Sequence, residues 1–297
     1  MTGFPLSRRR LLQALAAASL APAAARAAAK RRFAVVDWAL LETAIALGLV
    51  PLAAPELILF RRLAVEPEIP AGVADLGLRG ALSFERLALL RPDIVYGSNY
   101  SAWAAPQIEP IAPLKTFELF VPGEPPLEKI EAMTFALASD FDIPDKGKAV
   151  IDSARATIAD LRQSLRTDGG RKVLLVDVGD ANHVRVYGGD SLFGETLVRL
   201  GLTNAWQGGT RYSATAPVGM ETLAAYPDAF LIVVDPVPPA AAATIRTGAL
   251  WQALPSVAAG RFAVIEPCDA FGALPASLRL ARLVTAAVTH RPAPRPA

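Results

Sequence analysis

Short runs of β-forming residues alternate with helical patterns along this chain, and that alternation restricts the possible folds more than any other feature. RFAVVD (Arg32 to Asp37) leads into WALLETAIALG, and IVYGS follows a short helical pattern. KVLLVDVG (Lys172 to Gly179) opens a second series, continued by HVRVYG, FLIVVD (Phe230 to Asp235) and FAVIEP (Phe262 to Pro267), with SLFGETLVRLG and ALPASLRLARLVTAAV as helices nearby. Alternation of this kind predicts α/β units whose sheets are mostly parallel and covered by helices on both faces. Between the two series, Val150, Ala154, Ile158, Leu161 and Leu165 recur at spacings of four, four, three and four, which places one apolar stripe on a long helix from Pro144 to about Arg166.

One segment is written twice. FERLALLRPDIVYGS (Phe84 to Ser98) and METLAAYPDAFLIVVD (Met220 to Asp235) each carry an early Glu, a short helical pattern, Pro-Asp and a β run, one on each side of the long helix. The simplest arrangement is two related α/β lobes joined by one connecting α-helix, with a ligand cleft between them. The expected boundaries are an N-terminal lobe over 28–143, the connector over 144–167, a C-terminal lobe over 168–290 and a Pro-rich tail over 291–297.

The first residues, MTGFPLSRRRLLQALAAASLAPAAARAAAK, have a basic start, an apolar stretch from Leu11 to Leu20 and small residues suited to cleavage near Ala25 to Ala29. This is the anatomy of an export signal over 1–27, and Ser7-Arg8-Arg9-Arg10-Leu11-Leu12 fits the twin-arginine type. The apolar stretch is too short to span a bilayer, which takes roughly 20 residues. Removing 1–27 takes away Arg8, Arg9, Arg10 and Arg26 and no acid, so the formal charge falls from +2 to −2. The remainder carries no electrostatic footprint for nucleic acid. The single cysteine, Cys268, cannot form an internal disulfide, so an exported chain of this length must be held together by its core. A periplasmic, monomeric protein is the expectation.

Reactive constellations are absent from the sequence. There is no G-x-G-x-x-G after a strand, no P-loop and no G-x-S-x-G elbow. GGDSLFG (Gly188 to Gly194) matches none of these spacings and reads as a helix start with Asp190 or Ser191 as cap. The only histidines are His183, which precedes a β run, and His290, in the tail. No site built from clustered His and Cys is possible, so a bound metal would have to arrive already chelated.

The segments VVDWALLETAIALGLVPL, DLGLRGALSFERLALLRPD, VYGGDSLFGETL, NAWQGGTRY, ETLAAYPD and LWQALPSVAAGRF together resemble, in order, the periplasmic ferric-siderophore binding proteins of ABC importers, most closely the ferric-hydroxamate (ferrichrome) type. The resemblance covers about Arg32 to Val288. It implies a binding protein and not an enzyme, with no cofactor of its own, a ferric siderophore as ligand and the inner-membrane permease as partner. It also implies that Glu85 and Glu221, one in each copy of the repeat, meet arginines of the two permease subunits.

For the cleft, the resemblance implies that Arg79 bonds the chelate oxygens, that Tyr100 supplies a partner hydroxyl, and that Trp38 and Trp206 are binding tryptophans. Trp103, Tyr212 and Phe271 are the candidate walls where the family pattern departs: Gly97, Ser213 and Ala270 stand where the family has tryptophans. Two other readings stay open at this stage, a receptor for cobalamin or haem, and an exported α/β enzyme.

Overall fold

The structure, a computed structural model, describes residues 31–210 and 215–289. The proposed export signal, Tyr212, Ser213, His290 and the tail fall outside the described residues. The principal elements in chain order are β1 (Phe33–Val35), α1 (Trp38–Ala46), α2 (Phe84–Leu90), β2 (Ile94–Ser98), β3 (Leu114–Phe117), α3 (Leu127–Asp140), α4 (Pro144–Ser164), β4 (Lys172–Val178), β5 (His183–Tyr187), α5 (Leu192–Arg199), β6 (Thr215–Gly219), β7 (Phe230–Val234), β8 (Phe262–Ile265) and α6 (Leu274–Thr289). They build two α/β lobes.

The first lobe holds a three-stranded sheet in the order β1-β2-β3, parallel throughout, with Val35 opposite Tyr96 and Gly97 opposite Thr116. Successive residues of β1 point to opposite faces. Phe33 and Val35 enter one apolar cluster, Ala34 and Val36 another, so both faces are buried. The second lobe has the order β6-β5-β4-β7-β8, with the short strand Thr203–Asn204 pairing in parallel with the start of β4.

Most pairings in the two sheets are parallel, as expected, and the second sheet adds an antiparallel edge. β4, β7 and β8 are parallel, but β5 runs antiparallel to β4, and β6 antiparallel to β5. The cause is local. Only four residues, 179–182, separate β4 from β5, and a parallel return needs a crossover of about a dozen. Asp180 closes the turn by accepting the N–H groups of Asn182 (2.8 Å) and His183 (2.9 Å). His183 is thereby accounted for: its ring is exposed, with Nδ1 3.0 Å from Asp180 Oδ1.

Pro144 starts α4, where its missing N–H costs nothing. The predicted stripe is shared between two cores: Val150 and Ala154 pack into the first lobe, joined there by Ile151, and Ile158, Leu161 and Leu165 pack into the second. Helix α6 packs along α4 and is likewise shared, with Leu274 and Ala276 on the first-lobe core and Leu280, Ala281 and Val284 on the second. Arg279, on α6 and 8% exposed, joins Glu66 Oε1 from the first half of the chain to Glu266 Oε2 from the second, each at 2.8 Å. Two helices with an apolar face in each lobe resist hinge opening more strongly than a single linker would.

Candidate functional site

In open α/β sheets ligands gather beyond the carboxyl ends of the strands, and the first lobe places its candidate residues there. Asp37 follows β1 and caps α1 by accepting Leu40 N–H (3.2 Å); it also accepts the Ser98 hydroxyl at the end of β2. Ser98 and Ser101 form a reciprocal capping box that sets the short 3₁₀ turn carrying Tyr100. Asn99 accepts Leu119 N–H (3.0 Å) and donates to Phe120 O (2.9 Å), which fixes the loop beyond β3. Phe120 then stacks on Tyr100, with ring centroids 5.2 Å apart and planes at 6°. From the second lobe Phe271 meets both edge-on, at 5.5 and 5.7 Å.

Arg79 sits at the tip of a small hairpin, Gly77–Leu78 paired with Ala81–Leu82. Gly77 takes φ +79°, a backbone conformation that favours glycine. Glu56 grips Arg79 twice, accepting its backbone N–H (3.0 Å) and its Nε–H (2.7 Å). The guanidinium carbon lies 3.7 Å over the Trp38 ring, a cation–π contact. With Nε committed to Glu56, the two Nη groups remain as donors toward a ligand. Val36, Asp37, Trp38, Arg79, Tyr100, Ser101 and Phe271 enclose a cavity of about 60 Å³. That is small beside the roughly 300 to 1,000 Å³ of ordinary ligand pockets, so it is the floor of a site and not its whole volume. Hollows of about 530 and 340 Å³ flank α4. They are grooves around Lys148, Asp152, Arg155 and Lys146 and bring none of these site residues together.

Buried acids lie at and near the cavity: Asp37 lines it, and Glu42 and Asp269 are buried within electrostatic reach of Asp37. Desolvation raises the Asp37 carboxyl, although the Ser98 hydrogen bond and the Arg79 charge pull the other way. Desolvation, reinforced by Asp269, pushes Glu42 well above the ordinary range. Desolvation also lifts Asp269, to about 6, against its hydrogen bond from Phe271 and the charge of Arg79. In the unfolded chain an Asp titrates near 4. Between about pH 4 and 6 the folded state therefore keeps a proton on Asp269 that the unfolded state has lost, and stability falls as pH rises through that window. Two pKa units correspond to about 3 kcal/mol. Asp269→Asn keeps an acceptor for the Phe271 N–H, and it is expected to raise Tm by several degrees at about pH 7.5 while leaving it unchanged near pH 4. Thermal unfolding of both proteins across that range decides; a variant no more stable than wild type at pH 7.5 refutes the assignment.

Comparison with known proteins bears on this geometry. The family model described as periplasmic binding protein matches residues 34–267. The chain belongs to this family. It is 30% identical over 293 residues to the iron(3+)-hydroxamate-binding protein FhuD of Escherichia coli K12, spanning 97% of this chain and 99% of that protein. Among solved structures, the siderophore-binding protein FhuD of Vibrio cholerae with bound Fe3+-Desferal superposes with a TM-score of 0.83 at 23% identity, over 87% of this chain and 98% of that one. FhuD2 of Staphylococcus aureus with ferrioxamine B gives 0.70 at 18% identity, over 87% and 98%. These two likenesses concern the fold.

Within this periplasmic binding protein, the residues singled out from sequence divide into two groups. Arg79, Tyr100, Trp38 and Phe271 come together at the cavity. Trp38 is 2% exposed, edge-on to Phe60 and hydrogen-bonded to Pro55 O (3.1 Å), so it is the platform under Arg79 more than an open wall. Trp103 is surface-exposed, edge-on to Phe84, and Trp206 packs on Tyr226 against the second-lobe core; neither lines the cavity. Gly97 has no room for a wall residue, since any Cβ there would collide with Ser101 and come within 2.9 Å of Val36. Ala270 faces the second-lobe core, which leaves its neighbour Phe271 to face the cleft. Glu85 and Glu221 are both exposed in the first turn of their helices. Those helices precede β2 and β7, the strands flanked on both sides by parallel neighbours. Phe120, Glu56, Glu42 and Asp269 were not selected from sequence. Asn99 and Gly272 were the available signals, and both acquire meaning only when distant segments meet.

Proposed function

We propose that this chain is an exported periplasmic receptor that carries a ferric siderophore of the hydroxamate type to an ABC import permease, acting by binding and not by catalysis. The observation that carries the reading is Arg79, a cation stacked on Trp38 and steered by Glu56, standing beside Tyr100 and an aromatic corner. A ferric hydroxamate presents a ring of partly negative oxygens with apolar edges. The Nη groups and the Tyr100 hydroxyl suit the oxygens, and Phe120 and Phe271 suit the edges. Glu56 pairs with Arg79 and leaves little net positive charge, which favours a neutral or cationic chelate over a polyanionic one. On this reading iron enters already chelated by the siderophore. The protein works as a monomer after a twin-arginine-type signal over 1–27 is removed. Its functional divisions are 28–143, 144–167 and 168–290, ahead of the tail over 291–297. Glu85 and Glu221 dock it on the permease.

Titrating the mature protein with ferrioxamine B, a ferric tris-catecholate, haem, cobalamin and bare ferric ion, following tryptophan fluorescence, tests this. Ferrioxamine B is expected to bind one-to-one and tightest. Preferential binding of haem or cobalamin, or a defined tight site for bare ferric ion, would replace the reading.

A further inference from the structure

The helices that open the two lobes carry matched sequences. DWALLETAIALG (Asp37 to Gly48) and DSLFGETLVRLG (Asp190 to Gly201) align without a gap on Asp, Glu-Thr and Leu-Gly. Most of the match is helix geometry. Thr43 and Thr196 each donate to the carbonyl four residues back (2.8 and 2.7 Å), and Gly48 and Gly201 end the turn at φ +68° and +79°. The glutamates reach beyond their own helices. Glu42 and Glu195 are 0% and 7% exposed, and each accepts from the N-terminus of a helix in the other half of the chain. Glu42 Oε2 accepts the N–H groups of Ala273 (2.7 Å) and Ala276 (3.2 Å) at the start of α6. Glu195 Oε2 accepts the N–H of Leu127 (2.6 Å), the first residue of α3. A carboxyl group that accepts the otherwise unbonded N–H groups of a helix N-terminus is favoured by those hydrogen bonds.

The two caps differ in what they hold. Glu195 also bonds Arg199 (2.8 Å) and holds the first residue of α3, and neither Glu195 nor Leu127 lines the cavity. Glu42 Oε1 is buried without a hydrogen-bond partner. The charged or titratable groups around Glu42 are Asp37 at the head of its own helix and, from the segment leading into α6, Asp269 and Cys268. That same segment carries Phe271, whose N–H Asp269 accepts at 3.0 Å. Gly272 follows, and a Cβ there would stand 2.5 Å from Glu42 Oε1. We infer that Glu42 and Glu195 are reciprocal caps between the two halves of the chain, and that Glu42 is a positioning residue for ligand binding that holds Phe271 against Tyr100 and Phe120. This rests on the Arg79 cavity being the ligand site.

The test measures affinity for ferrioxamine B and Tm together. Glu42→Ala is expected to weaken binding at least tenfold, and Glu195→Ala to lower Tm while leaving affinity within about twofold of wild type. Glu42→Gln keeps an acceptor for both N–H groups and is expected to restore binding. Gly272→Ala, which displaces the segment without removing the acid, is expected to weaken binding too, and it carries the test if Glu42→Ala does not fold. Wild-type affinity in Glu42→Ala or Gly272→Ala, equal affinity loss in Glu195→Ala, or a Gln variant as weak as Ala overturns the inference. Arg79→Ala runs alongside: if it too binds normally, the site assignment has failed, whereas a weakened Arg79→Ala with a normal Glu42→Ala removes the positioning role alone.

Discussion

Arg79→Ala is expected to weaken binding of a ferric hydroxamate about ten- to a hundredfold and to lower the melting temperature of the empty protein only slightly. A hydrogen bond to a charged group contributes about 1.5 to 3 kcal/mol net, and each 1.4 kcal/mol is roughly tenfold in affinity. The side chain is 37% exposed, so its ion pair with Glu56 adds little to folding. Its value lies in preorganisation: Glu56 and the Trp38 face hold the guanidinium before the ligand arrives, and that ordering does not have to be repeated on binding. Arg79→Lys keeps the charge but loses the planar stacking and the fork of donors, so it should recover only part of the affinity. Calorimetry on the three proteins gives the ranking. Wild-type affinity in Arg79→Ala, together with normal binding by Tyr100→Phe and Phe271→Ala, would move the ligand site elsewhere.

The features legible in the sequence are those governed by short-range periodicity. The stripe from Val150 to Leu165 marks α4 because a buried helical face must repeat at this spacing, and the alternating β runs mark both sheets. The direction of β5 was legible only in part. HVRVYG reads as a strand, but its antiparallel pairing follows from the short Asp180 turn, which a reading based on alternation passes over. The site was less accessible. Arg79, Tyr100 and Phe271 were reached through resemblance, and Trp38 came with them, although its burial makes it a support. Phe120 looks like any apolar residue after a strand until Asn99 fixes its backbone. Glu42 sits within a helical pattern, where an acid usually marks a solvated face; only the arrival of Ala273 and Ala276, more than 200 residues later, makes it a contact between the two halves of the chain.

The construction of the lobes bears on how a loaded receptor is recognised. Because α4 and α6 place apolar residues in both cores and Arg279 ties Glu66 to Glu266, moving the lobes apart would break shared packing and ion pairs. The outer surfaces of the two lobes are coupled through the same contacts. A partner with two matching contact points could engage both without waiting for a large closure.

On this basis Glu85→Arg combined with Glu221→Arg is expected to abolish uptake of ferric hydroxamate in cells while leaving ligand affinity and Tm close to wild type. Both carboxylates are exposed, so reversing them disturbs no core packing, and such surface changes shift stability by about 0.5 kcal/mol or less. Neither lines the Arg79 cavity, so binding should not respond. At the permease the effect is far larger. On the proposed docking, permease arginines that attract two carboxylates would meet two guanidinium groups, and like charges facing each other across an interface cost several kcal/mol. A rigid two-point contact also makes the second engagement effectively intramolecular. Each single reversal should therefore lose much of the uptake, and the double reversal nearly all of it. Measuring iron uptake in a strain that depends on this receptor, with binding checked on the purified variants, separates docking from ligand capture. Normal uptake by the double variant would leave these glutamates as ordinary first-turn residues that complement their helix dipoles.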